Sequence, residues 1–278
     1  MRIAYCGYDF FHSSLGKIIR DGHELVELFT WPTDNEYDFN EKVFSHAIAA
    51  GAKINLSPMT SEDLSRLSRK KVDAIVCAAY PYKVPEWRAN VRYALNVHPS
   101  LLPEGRGPWP LPWVILNGAR RTGVTVHEIS PSWDAGAVLG QEIFSVGDRE
   151  TLESLSVRSQ MAAEELLSKV LFDIENVWAA RQEQQGDASY WRMPQKKDRT
   201  ITWDMPVEKI DRIVRAFSKF EPFVYIKNVR YFVRKVDSWT ERHNHEVGSV
   251  VHESNREIVF AASDGLVCLT HFQKAEES

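Results

Sequence analysis

The sequence predicts an α/β protein: a doubly wound, mostly parallel sheet with a small β-rich subdomain at the carboxyl end. Three observations predict it. Short apolar runs alternate with helix-spaced segments from residue 1 to about 145. A long segment with an apolar stripe follows, from Glu150 to about Gln185. From Phe223 onward the chain is rich in β-branched and aromatic residues, broken by turn signals. The expected division is residues 1–187 for the α/β part and 188–278 for a linker, a helix and the β-rich subdomain.

In chain order, Arg2 to Cys6 is an apolar run closed by Gly7, and SSLGKIIRDGHELVEL then reads as a helix stopping near Gly22 before a second strand. In EKVFSHAIAAGAKI, Val43, Phe44, Ala47 and Ile48 fall at helical spacing. DAIVCAAY, bounded by charges and by Pro81 and Pro85, has the continuous apolar character of a buried parallel strand. YALNVH at 93–98 is a further strand, and it delivers its end into PSLLPEGRGPWPLP, which no regular element spans unbroken. WVILNG predicts a short helix ending at Gly118. TGVTVHEI alternates Val124, Val126 and Glu128 against Thr125, His127 and Ile129, which suits a strand with one polar edge.

The helical segment from Glu150 carries Leu152, Leu155, Met161, Leu166, Leu167, Val170, Leu171, Ile174 and Val177 as its apolar stripe. DMPVEKIDRIVRAF offers another helix with a proline near its start. Turn signals at Asn228 and at Asp264-Gly265 predict antiparallel strands in a small sheet or partial barrel.

Composition narrows the function classes. The 278 residues are 44% hydrophobic and 26% charged, with a net charge of -4. That balance lacks the clustered basic charge from which nucleic-acid and membrane-surface binders draw affinity, and favours a small-molecule substrate. Cys6, Cys77 and Cys268 are odd in number and contain no CxxC pair, so neither a disulfide framework nor a thiolate zinc site is indicated. With no apolar run of spanning length and no signal-like amino terminus, a cytoplasmic location is expected.

Three polar residues carry the chemical signal. Asn96 and His98 alternate at a predicted strand end, so their side chains share a face. Asp134 follows 36 residues after His98, in SPSWDAGAVLG beyond the next strand. A His beside a carboxylate can take up a proton during transfer, and an Asn amide can donate to a developing oxyanion. Attack of an amine on a formyl carbon asks for both, since oxygen gains negative charge while nitrogen must lose a proton.

The segment NVHPSLLPEGRGPWPLPWVILNGARRTGVTVHEISPSWDAGAVLGQ resembles the signature of the folate-dependent formyltransferases over about 45 residues. That family includes glycinamide ribonucleotide transformylase, methionyl-tRNA formyltransferase and the aminosugar N-formyltransferases. The resemblance rests on Asn-x-His-Pro-Ser-Leu-Leu-Pro, on Arg106-Gly107, on Thr122-Gly123-Val124-Thr125, on His127 and on Asp134-x-Gly136. It implies a Rossmann-like formyltransferase core, 10-formyltetrahydrofolate as formyl donor, no metal, and Asn96, His98 and Asp134 as catalytic residues. It further implies that the donor's pterin lies near Tyr80, Pro81, Tyr82, Lys83 and Val84 and near Ser130, Ala135 and Gly136, with Arg106 contacting a ligand or bracing its loop. The first loop, GYDFFHSSL, departs from GxGxxG and is not read as a dinucleotide site. His127 has a direct role or fills a polar pocket. Trp109, Trp113 and Trp133 read as packing residues ahead of stacking platforms.

YWRMPQKKDRTITW and PVEKIDRIVRAF resemble the linker and helix following the core in the aminosugar and methionyl-tRNA enzymes, whereas AFSKFEPFVYI departs from their Pro-x-Pro-Gly-Ala-like turn. Residues 195–278 hold 14 Lys and Arg against 13 Asp and Glu. That balance disfavours a tRNA acceptor and favours a nucleotide-linked amino sugar, with methionyl-tRNA and a hydroxyornithine-type amine as alternatives. Rival classes are a formyltetrahydrofolate hydrolase, a metal-dependent hydrolase on His98, His127 and Asp134, and a non-catalytic binding module. A homodimer paired through the carboxy-terminal strands is a further expectation.

Overall fold

Alternation along five short parallel strands decides where the core sits. The computed structural model describes residues 1–275 and divides them into two compact units, so the last three residues of the expected carboxy-terminal part lie outside the described residues. The first unit holds Met1–Pro108, Arg121–Phe144 and Val157–Trp191. Its elements begin with β1 (Arg2–Gly7), α1 (His12–Arg20), β2 (Glu24–Phe29), α2 (Glu41–Ala49), β3 (Lys53–Asn55), α3 (Ser61–Arg69), β4 (Ala74–Ala78) and β5 (Tyr93–His98). After α4 (Leu111–Leu116), which belongs to the second unit, come β6 (Arg121–Glu128), β7 (Val138–Ser145), α5 (Leu152–Phe172) and α6 (Ile174–Ala179).

The seven strands are ordered β3-β2-β1-β4-β5-β6-β7, with β3 to β5 parallel and β6 antiparallel to β5. Strand order reverses direction between β1 and β4, the arrangement of a doubly wound sheet. Ile3, Tyr5, Val76, Leu95 and Val97 pack with Leu15, Ile18, Val43, Leu167 and Val170. Ala4, Cys6, Ile75, Cys77 and Ala94 pack with Leu64 and Leu67 of α3. Asn96 and His98 share the parity of Ala94 and therefore the α3 side of the sheet. Cys6 and Cys77, remote in sequence, are register partners on β1 and β4, and both are buried free thiols.

Several local expectations are corrected. α3 is absent from the sequence-based reading, although Thr60 and Asp63 form a reciprocal capping box that starts it. The long helical segment is two helices, α5 ending at Phe172 and α6 ending at Ala179, and does not continue to Gln185, because Gln182 pairs with Val138. Met161 is 64% exposed and Ile48 is 70% exposed, so neither contributes to the core assigned to it. β6 is buried on both faces beyond Arg121, not edged by a polar face, since Thr125 and His127 find internal hydrogen bonds.

The second unit comprises Trp109–Arg120, Ser145–Ser156 and the chain from Arg192. It contains β8 (Thr200–Ile201), α7 (Val207–Phe217), β9 (Phe223–Ile226), β10 (Val229–Thr240), β11 (Val250–Glu253), β12 (Ile258–Ala261) and β13 (Gly265–Lys274), in a six-stranded sheet ordered β11-β12-β13-β10-β9-β8. Lys227 and Asn228 both take positive φ, 48° and 65°, which closes the β9–β10 hairpin at the expected turn. Trp109 packs on Phe217 and Phe220, and the Trp113 indole N–H donates to the Arg192 carbonyl, so both act as packing residues. The division differs from a single cut at 187/188. Residues 188–191 fall in the first unit because Ser189 and Trp191 pair through their backbone with residues 103–106, and two inserted segments fall in the second. No helix among the described residues is long and apolar enough to cross a membrane.

One buried charge supports the β2–β3–α3 layer. Glu27 is fully buried and receives Arg66 Nη2 at 2.7 Å, Lys70 Nζ at 3.0 Å and Asn55 Nδ2 at 3.1 Å. Burial alone pushes its carboxyl upward, but the hydrogen bonds from Arg66, Lys70 and Asn55 outweigh that and hold it at about 2, against 4.5 unperturbed. A depressed carboxylate contributes stability that is fully present above its unfolded value and is lost as pH falls towards the folded one. Glu27→Gln is therefore expected to cost about 3 kcal/mol near neutral pH. The difference from wild type should shrink as pH drops from 4.5 towards about 2. Paired urea titrations at neutral and acidic pH measure this, and an equal difference at both would contradict it.

Candidate active site

The antiparallel register of β5 and β6 places Asn96 opposite His127 and His98 opposite Thr125. Asn96 Nδ2 lies 3.0 Å from His127 Nε2, and His127 Nδ1 lies 2.8 Å from the Glu128 carbonyl oxygen. A carbonyl only accepts, so His127 carries its proton on Nδ1 and its Nε2 accepts from the Asn96 amide. The tautomer of one residue thus fixes the amide orientation of the other. Burial drives the His127 imidazole down to about 4; Asp134 opposes that fall, and His98 and Arg106 add to it.

His98 is buried and donates from Nε2 to the Gly105 carbonyl at 2.8 Å. In the neutral ring Nδ1 then holds the lone pair, and it faces Asp134 Oδ1 at 3.6 Å. That separation is too long for a direct hydrogen bond. Gly105, not Asp134, orients the ring. Asp134 itself has φ 52°, in the left-handed region that non-glycine residues seldom enter, although aspartate enters it more readily than most. Its Oδ2 accepts from the Gly107 N–H at 2.9 Å, and Oδ1 also lies 3.8 Å from His127 Nε2. Asn96, His98 and Asp134 are brought together, with His127 as a fourth member.

β6 runs against β5, so the 130–137 loop leaves from the side where β5 begins and must fold back to bring Asp134 to the pair. Gly136 permits that return. A Cβ there would sit 1.9 Å from the Glu128 carbonyl oxygen, too close for any side chain. Gly107, at φ 122°, is similarly pressed against the Trp191 carbonyl, 2.2 Å from an ideal Cβ. The Glu128 carboxylate sits between Arg88 Nη2 at 2.6 Å and Arg181 Nε at 2.8 Å, which steadies the backbone carbonyl that fixes His127.

The residues expected near a pterin fall in two places. Tyr80 is buried, its hydroxyl accepts from the Met59 N–H, and it packs edge-on against Tyr82 at 5.4 Å. Val84 packs against the α3-side core, while Pro81 is exposed. Lys83 Nζ donates to the Pro131 carbonyl at 3.0 Å and lies 5.7 Å over the Trp133 ring, joining this loop to the 130–137 loop. Trp133 is 47% exposed, so it is not a core residue. Ser130 Oγ donates to the Ser132 carbonyl, Ala135 is half-buried, and Gly136 is buried.

Arg106 Nε and Nη2 both donate to Gln184 Oε1, at 3.1 and 2.7 Å, which favours the loop-bracing alternative for this residue. Gln184 escapes sequence reasoning because it lies in a polar stretch without periodicity; only its tertiary partners mark it. Among the described residues no group of three or more His, Cys, Asp and Glu side chains is arranged to hold a metal ion.

The hydrogen-bond pattern makes His127 a neutral Nδ1–H ring over the physiological range. An unfolded chain takes up this proton near 6.5 and the folded one only near 4, so the group draws stability down as pH falls through that window. Nitrogen-15 NMR of the histidine side chains should show His127 as a neutral Nδ1–H tautomer at pH 6 and above. An imidazolium signal from His127 at pH 6 would refute the assignment.

Residues 37–171 match the formyl transferase family and residues 194–278 match its C-terminal domain. A methionyl-tRNA formyltransferase of Treponema denticola is 37% identical over 179 residues, covering 62% of this chain and 55% of that protein, so the match spans little more than half of its length. A methionyl-tRNA formyltransferase of Idiomarina loihiensis is 30% identical over 229 residues, covering 78% of this chain and 72% of that one. The fold is shared with an N-formyltransferase from Helicobacter canadensis solved with folinic acid and dTDP-3-aminofucose, at a TM-score of 0.73 and 18% identity over 99% of both chains. With both family regions matched in order and the expected doubly wound sheet in place, the chain belongs to the formyl transferase family.

Proposed function

We propose that this protein moves the formyl group of 10-formyltetrahydrofolate to the amine of a small acceptor, with a nucleotide-linked amino sugar as the favoured acceptor class. The observation that carries the reading is the convergence of Asn96, His98 and Asp134 in one cluster whose amide orientation, tautomer and carboxylate position are each fixed by hydrogen bonds. We assign the reaction to residues 1–187, which supply all three.

Asn96 keeps one Nδ2 hydrogen on His127 and offers the other to the formyl oxygen as that oxygen gains charge. His98 takes the amine proton on Nδ1, since Nε2–H is committed to Gly105. The resulting imidazolium faces Asp134 Oδ1, which stabilises it without moving. The loops at 80–84 and 130–137, tied by Lys83 and carrying the half-exposed Trp133 ring, fit a flat polar ring system such as a pterin. The donor, when bound, would supply the formyl carbon; as the bond from that carbon to the donor nitrogen breaks, the proton held on His98 Nδ1 goes to that nitrogen, tetrahydrofolate leaves, and the ring returns to its neutral form.

A small acceptor is supported by the near balance of charge in residues 195–278, 14 Lys and Arg against 13 Asp and Glu. The likeness to the Helicobacter canadensis fold, with its amino-sugar nucleotide, points the same way. Methionyl-tRNA is the second reading, favoured by the names of the two sequence relatives and by the C-terminal domain match.

Incubation with 10-formyltetrahydrofolate and a panel of nucleotide-linked amino sugars, hydroxyornithine and methionyl-tRNA should add about 28 mass units, one carbonyl, to a sugar amine. Transfer to tRNA alone would select the second reading, and transfer to none would sink both. Asn96→Ala should still fold, as judged by circular dichroism, while losing about 10²–10³ in kcat. An unchanged kcat would remove Asn96 from the reaction. The rate should fall in acid, because the amine attacks as the free base; a rate flat from about pH 5 to 9 would argue against His98 as the proton acceptor.

A further inference from the structure

We infer that Gln184 is a positioning residue for Asp134: its side-chain amide locks the 130–137 loop to Arg106 and so holds the carboxylate at its working distance from His98. The inference rests on the formyl-transfer reading and extends it to a residue outside the Asn-His-Asp cluster.

Both ends of the Gln184 amide are fully used. Oε1 accepts from Arg106 Nε at 3.1 Å and Nη2 at 2.7 Å, while Nε2 donates to the Asp134 carbonyl at 2.7 Å and the Gly136 carbonyl at 2.9 Å. Guanidinium has only donors and carbonyls have only lone pairs, so the amide fits in one orientation alone. A flipped amide would place N–H against N–H and oxygen against oxygen. Gln184 is therefore a directional bridge between two loops that are not otherwise neighbours in sequence.

The bridge lands where the backbone needs holding. Asp134 occupies the left-handed region at φ 52°, which is sterically disfavoured for a residue with a Cβ. Two restraints oppose relaxation: the Gly107 N–H on the Asp134 carboxylate and the Gln184 amide on its carbonyl. Arg106 is itself anchored, since its N–H donates to the Ser189 carbonyl at 3.0 Å and its carbonyl accepts from the Trp191 N–H at 2.7 Å. The Gly105 N–H donates to Ser189 Oγ at 2.8 Å, and it is the Gly105 carbonyl that orients His98. Gln182, two residues before Gln184, exchanges both backbone hydrogen bonds with Val138. The 182–191 segment thus straps the two site loops together, and Gln184 is the side chain that ties them at Asp134.

The test uses Gln184→Glu, which keeps an acceptor for Arg106 but offers no donor to the two carbonyls, and Gln184→Met, which removes both. Each is made in the full chain and followed in two ways. The first needs no acceptor: the Gly107 amide, which reports on the Asp134 carboxylate, is read by nitrogen-15 NMR. Its proton signal should move upfield and its protection from exchange should fall, while amides of β4 and β5 hold their shifts. The second is turnover with 10-formyltetrahydrofolate and the acceptor chosen by the panel. A misplaced carboxylate should lower kcat by about 10²-fold, a much larger factor than any accompanying rise in KM for the donor.

An unaltered Gly107 amide in folded Gln184→Glu overturns the inference. So does a lower melting temperature with wild-type kcat per folded molecule, which is the result a merely structural residue would give. If Gln184→Met does not fold, Gln184→Glu decides. A wild-type chain inactive on every acceptor would sink the functional reading, yet the Gly107 signal would still show whether Gln184 holds Asp134.

Discussion

Antiparallel pairing of β6 against β5 sets the position of every polar group in the candidate site. Had β6 continued the parallel direction of β1 to β5, the chain would have required a crossover, and the 130–137 loop would have left from the opposite end of the sheet. The observed register instead sets His127 beside Asn96 and Thr125 beside His98. Thr125 Oγ1 donates to the Ser100 carbonyl and accepts from the Leu102 N–H, while Gln141 Nε2 donates to both Thr125 Oγ1 and the Leu102 carbonyl. Those bonds pin the first turn of the loop after β5. The ring of His98 therefore meets a Gly105 carbonyl whose approach is already constrained.

The loops around the site are irregular, and their backbone polar groups must be satisfied without a sheet or helix to do it. The extended segment after α6 supplies many of the partners, through Gln182, Gln184, Ser189 and Trp191. Close backbone approach is the cost of this arrangement, which is why Gly107 and Gly136 cannot carry a side chain. A helix continuing to Gln185 would have withdrawn the Gln182 backbone from Val138 and the Gln184 amide from Arg106, Asp134 and Gly136. The break after Ala179 is thus part of what builds the site.

Much of this architecture is legible in the sequence. β5 begins and ends where its apolar run and its turn residues place it, and the hairpins at Asn228 and Asp264-Gly265 follow from residues that tolerate positive φ or tight turns. Asn96 and His98 are readable as one face because strand alternation is strict. Other features depend on contacts that local pattern does not encode. Leu64 and Leu67 give α3 only two buried apolar side chains in a nine-residue helix, so its periodicity is faint and its capping box is the stronger signal. Met161 and Ile48 sit on apolar stripes but face outward, since a stripe does not say how wide the covered face is. The acidic partner of His98 can be named from the family resemblance, but not that Gly105 orients the ring, nor that Arg106 is taken up by Gln184.

Under the proposed reaction, two histidines 6.4 Å apart between ring centres must behave in opposite ways, and their surroundings explain how they can. His127 has a carbonyl on Nδ1 and the Asn96 amide on Nε2. Adding a proton to Nε2 would break the bond that orients Asn96, so the ring is useful only while neutral, and burial keeps it so. His98 has its carbonyl on Nε2, and its remaining nitrogen points towards the Asp134 carboxylate. A proton arriving there meets an acceptor and disturbs no existing bond. The difference lies in which ring atom each backbone carbonyl claims: Glu128 takes Nδ1 of one ring, Gly105 takes Nε2 of the other. One ring thereby becomes an orienting group for an amide and the other a place to put a proton, with no change of residue type.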